Sequence, residues 1–84
     1  MTAWLRCRLD RGMFSDEFAV TYPASLDAEC QQSVFVPRAF VRSVTEHEGE
    51  VMVKVVTVEG GRYAVLPSSE WDVVWPEDAD LKPI

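Results

Sequence analysis

Apolar and polar residues alternate along much of this chain with a period of two, in short runs separated by turn-forming residues. Ala3 to Leu9 sets Leu5, Cys7 and Leu9 on one side and Trp4, Arg6 and Arg8 on the other. That is the pattern of a half-buried strand. Phe18 to Tyr22 reads as a second strand stopped by Pro23, and Val34 to Val36 as a short one before Pro37. Asp10 to Glu17 is the loop after the first strand and holds Gly12, Met13, Phe14 and Ser15.

The middle of the chain predicts a three-stranded meander over Ala39–Glu46, Val51–Val58 and Arg62–Leu66. Gly49 falls in the expected first turn, where positive φ is tolerated, and Gly60-Gly61 fits the centre of a two-residue hairpin. That register sets Glu59 opposite Arg62, Val58 opposite Tyr63 and Val56 opposite Val65. In the middle strand Val51, Val53 and Val55 point inward while Met52 and Lys54 point outward. Farther along it is apolar on both faces, at Val55, Val56 and Val58. A strand that changes burial midway is bent or shared between two packed sheets.

Ser25 to Gln32 is the one stretch where a helix is expected, capped by Ser25 with Asp27 and Glu29 in its first turn. It is too short for more than one or two turns. The fold expected is therefore all-β: a small bent-sheet β-barrel of five to six strands with at most one short helix or 3-10 turn. It occupies residues 1–75 as a single domain. Residues 76–84 form an acidic, proline-bracketed tail expected to be extended or mobile.

Leu66-Pro67-Ser68-Ser69-Glu70-Trp71 gives a strand end, a proline stop and a tight turn, and Asp72 to Trp75 a closing strand. This resembles the C-terminal end of SH3-like barrels, over about the last thirty residues. In the peptide-binding SH3 family the turn carries a Pro-Ser-Asn-Tyr run; here Glu70 stands in the place of the tyrosine. The Ala-Leu-Tyr-Asp-Tyr run of that family is absent. The resemblance implies an SH3-like fold without implying recognition of proline-rich peptides.

Composition narrows the picture further. Eighty-four residues make one domain, and 48% hydrophobic content with three Trp, four Phe and two Tyr supports a core. Fourteen acidic against eight basic side chains give a net charge of −6, which disfavours binding of phosphate backbones. No apolar run is long enough for a membrane helix, and the opening residues lack the features of a secretory leader. A cytoplasmic location is expected. Cys7 has inward strand spacing and Cys30 lies in a polar stretch, so neither a disulfide scaffold nor a metal pair is expected.

His47, the single histidine, sits among Glu46, Glu48 and Glu50 at a hairpin tip, which reads as a solvated acidic turn. Phosphate loops, nucleophile elbows and ligand-loop patterns are absent. No catalytic residue, metal, cofactor or small-molecule ligand is expected, and the chain does not read as an enzyme. Binding is the better prospect. Met13 and Phe14 either offer a contact surface or fold back to plug one end of the barrel. Trp4, Arg6 and Arg8, with Arg11 beyond and Arg38 and Arg42 near if the strands allow, form an aromatic–arginine face. The alternative is that each arginine lies along Trp4 or pairs with a carboxylate. Trp71 and Trp75 share a face with Val73, and at least one is expected in the core. The leading expectation is a non-catalytic protein-interaction or self-assembly module. The second is a small nucleic-acid-binding barrel using the arginines.

Overall fold

The structure, a computed structural model, describes residues 1–24, 33–68 and 71–84. The strands are β1 (Thr2–Arg11), β2 (Glu17–Thr21), β3 (Val34–Pro37), β4 (Val41–Arg42), β5 (Glu48–Val58), β6 (Gly61–Val65), β7 (Val73–Val74) and β8 (Leu81–Pro83). Short 3-10 turns lie at Arg38–Phe40 and Asp78–Asp80. The helix expected over Ser25–Gln32, Cys30 with it, lies outside the described residues.

The two long strands organise everything else. β1 and β5 pair antiparallel from Thr2↔Lys54 to Arg8↔Glu48. On the side of β1 away from β5, β8 pairs with Ala3–Leu5 and β2 with Arg8–Arg11. On the side of β5 away from β1, β4 pairs with Glu50 and Val51, and β6 with Lys54–Val58. Each long strand thus hands its outer edge from one partner to another midway, which requires it to bend and twist. The result is a curled antiparallel sheet forming a half-barrel, with main path β3-β2-β1-β5-β6-β7. This is the all-β, bent-sheet, barrel-like class that the alternation predicts.

The concave side holds the core. Ala3, Leu5, Cys7 and Leu9 of β1 pack with Val20, Val36, Val51, Val53, Val55, Ala64 and Leu66, all buried. Each fully buried leucine or valine contributes about 1.5–3 kcal/mol. Phe18, Tyr22, Val34, Val41, Val74 and Leu81 close the margins.

Several expectations are corrected. Among the described residues the sheet has eight strands rather than five or six, because β4 and β7 are two-residue pairings and the tail adds β8. The strand expected over Ala39–Glu46 shrinks to Val41–Arg42: a 3-10 turn occupies Arg38–Phe40, and Ser43 takes a φ of 54°. Gly49 is not in the turn but in β5 opposite Cys7. A Cβ there would lie 2.5 Å from Leu9 Cδ1, so close packing rather than positive φ explains this glycine. The β5–β6 hairpin turns on Glu59-Gly60, pairing Val58 with Gly61 and Val56 with Tyr63. Positive φ is needed at the second central residue, where Gly60 has 89°.

The tail is also placed differently. Residues 76–84 carry the second 3-10 turn and then β8, which pairs Ala3↔Pro83, Trp4↔Lys82 and Leu5↔Leu81. Of the strand–proline turn–strand unit, β6 and β7 pair antiparallel, while Ser69 and Glu70 of the turn between them lie outside the described residues. Ser68 Oγ donates to Asp72 Oδ2 at 2.6 Å and accepts the Asp72 N–H at 3.1 Å, bracing that turn.

Candidate interaction surface

Outward positions on β1, β5 and β6 follow from the register. Val55↔Ala64 faces the core, so Val56↔Tyr63 and Lys54↔Val65 face out. Across β1, Trp4↔Met52 and Thr2↔Lys54 lie on that same outer face.

Trp4 is half-buried there, with the Arg42 guanidinium 4.1 Å from its ring centroid. Such stacking contributes about 0.5–1 kcal/mol at an exposed site. Glu50 holds this assembly, accepting from Arg42 Nε at 3.0 Å and lying 3.3 Å from Lys82 Nζ. Burial alone would raise the Glu50 pKa, but the two cations outweigh it and hold the carboxyl below its ordinary value.

Four other arginines, Arg6, Arg8, Arg38 and Arg62, are engaged as well. Arg6 lies 3.3 Å from Asp80 and 3.6 Å from Glu48. Arg8 grips Asp10 through two hydrogen bonds of 3.0 and 3.3 Å. Arg62 pairs with Asp78. Arg38 donates twice to the Ser15 carbonyl and stacks over Phe18 at 4.8 Å. Arg38 and Arg42 therefore occupy separate places, and only Arg42 joins Trp4.

Met13 and Phe14 lie elsewhere, in the loop between β1 and β2. They stand 77% and 68% exposed, so Phe14 does not plug the half-barrel. With Arg11, Phe18, Arg38 and His47 they line an open cleft of about 850 Å³. Gly12 lets this loop close tightly, since a Cβ would meet the Glu17 carbonyl oxygen at 2.7 Å. His47 Nδ1 sits 3.7 Å from Asp10 in an exposed position. Trp4 does not line the cleft that holds Met13 and Phe14.

A further apolar surface, lined by none of Trp4, Arg6, Arg8, Met13 and Phe14, lies on the sheet itself. On the outer side of β5 and β6, Phe40, Met52, Val56, Tyr63, Val65 and Trp71 line a groove of about 480 Å³. Beyond it Trp75 meets Tyr63 edge-on, ring centroids 5.6 Å apart. Trp71 is 70% and Trp75 64% exposed, against the expectation that one of them belongs to the core. Val74 turns inward beside Ala64, so alternation sends Val73 and Trp75 outward. Trp71, at φ 54°, donates its N–H to the Ser68 carbonyl.

Cys7 is fully buried, and burial followed by the nearby Asp80 charge pushes its thiol up to about 12. A thiol so protonated is a weak nucleophile. Among the described residues no group of three or more metal-ligating side chains comes together, and no helix is long and apolar enough to cross a membrane. No protein-family model, curated protein or solved structure matches the chain.

Proposed function

We propose that this chain is a non-catalytic, cytoplasmic protein-interaction module whose working surface is the apolar outer face of β5, β6 and β7. One observation carries the reading: Trp71, Val73 and Trp75 stand exposed together beside the groove walled by Phe40 and Tyr63. Isolated exposed apolar residues need no explanation, but a contiguous aromatic patch supports a docking role. Tryptophan and tyrosine also supply much of the affinity where proteins meet.

Self-association is the first form of this activity to test. Sedimentation of the full chain is expected to show reversible assembly, abolished by Trp71→Ser combined with Trp75→Ser. The second reading, nucleic-acid binding through the arginines, is disfavoured by the pairing of Arg6, Arg8, Arg42 and Arg62 with Glu48, Glu50, Asp10, Asp78 and Asp80. A chain that stays monomeric but retains single-stranded RNA in a salt-sensitive manner would replace the first reading with the second.

A further inference from the structure

The C-terminal strand is held by contacts of a different kind from those of the rest of the sheet. β8 is three residues long, and of these Leu81 alone packs against the core, half-buried. The stretch before it is fixed by polar groups. Tyr22 Oη donates to Asp80 Oδ2 at 2.8 Å and accepts the Glu77 N–H at 2.9 Å, clamping both ends of the 3-10 turn. Asp80, with 14% of its side chain exposed, also faces Arg6 Nε at 3.3 Å. Arg62 holds Asp78, and Lys82 reaches Glu50 at 3.3 Å. Trp75 and Pro76, between β7 and this stretch, belong to no strand.

An element tied mainly by polar contacts, with little buried apolar area, opens below the free energy of global unfolding. Opening would bare the outer edge of β1 from Ala3 to Leu5, where β8 pairs. An unpaired edge is a template for another strand. The segment that fits it is already defined, because β8 makes those pairings within one chain. Exchange of an identical element between copies needs no new interface chemistry.

We propose that Glu77–Ile84 is a detachable strap, latched by Asp80, whose strand β8 exchanges between two copies of this chain at the outer edge of β1. This surface is separate from the apolar face of β5–β7, and the two ideas fail independently.

The test is native-state hydrogen exchange with light scattering on the full chain, wild type and Asp80→Asn. The amides that β1 directs to β8 are expected to exchange about tenfold faster in Asp80→Asn, from loss of a charge-assisted contact. Amides of Val53 and Val55 keep their wild-type rates. Raising the concentration yields a dimer that restores protection at the β1 edge and survives Trp71→Ser. If Asp80→Asn does not fold, Tyr22→Phe, which removes the hydroxyl and keeps the ring, takes its place. The proposal is overturned if β1-edge amides exchange in step with Val53 and Val55. It is equally overturned if the variant stays monomeric at every concentration, or if its dimer is lost with Trp71→Ser.

Discussion

Val51, Val53 and Val55 on one face of β5 are buried against β1, β6 and the far wall of the half-barrel, while Met52, Val56 and Val58 on the other reach the surface. The side chains are of the same class, and only the surroundings differ. The inner face is covered because the sheet curls over it. The outer face has Phe40, Tyr63, Val65, Trp71 and Trp75 as neighbours, yet leaves both indoles largely exposed. Apolar character in a strand therefore marks two things here: the core on the concave side, and an exposed apolar surface on the convex one.

Substitutions should divide along the same line. Leu5→Ala, on the inner side, is expected to lower unfolding free energy by about 2–5 kcal/mol in urea titration. A loss under 1 kcal/mol would mean that the concave side is not a packed core. Gly49→Ala comes next, with a loss of about 1–3 kcal/mol, since its methyl would collide with Leu9. If it instead behaves as a neutral turn substitution, the placement of Gly49 inside β5 is wrong. Arg42→Ala on the outer side removes the guanidinium from Trp4 and should cost about 0.5–1 kcal/mol, with a change in indole fluorescence.

A further effect concerns pH. Burial first, then Asp80, push the Tyr22 hydroxyl up to about 12 from an ordinary value of 10.0, against the opposing Glu77 N–H. Between those values the unfolded chain has lost the phenolic proton while the folded chain keeps it. Stability present below pH 10 therefore falls as pH rises toward 12. The difference in alkaline stability between wild type and Tyr22→Phe isolates this from Cys7, which titrates in the same range. Parallel alkaline curves for the two chains would remove Tyr22 from the account.

The concave side was legible in the sequence because burial there follows strict alternation: Leu5, Cys7 and Leu9 of β1 and the three inner valines of β5 all lie where a period of two puts them. The hairpin was legible too, but not its register. Gly60-Gly61 can serve a turn with either glycine at its second position, and the sequence does not choose between them. Gly49 was misplaced because close packing and positive φ both call for glycine. The tail looked free because its anchors are distant in sequence: Asp80 meets Tyr22, and Lys82 meets Glu50. Trp4 and the arginines were identified as outward-facing, yet their partners are distant in sequence, Glu48 and Glu50 in β5 and Asp80 in the second 3-10 turn. The outer groove escaped notice for the same reason, since Phe40, Met52, Tyr63 and Trp71 are gathered by the register rather than by spacing.

The distinction between the two faces is tested most directly by urea unfolding of Trp71→Ser combined with Trp75→Ser. Surface indoles predict an unfolding free energy within about 0.5 kcal/mol of wild type per substitution. A loss as large as that from Leu5→Ala would place those indoles in the core and contradict the account.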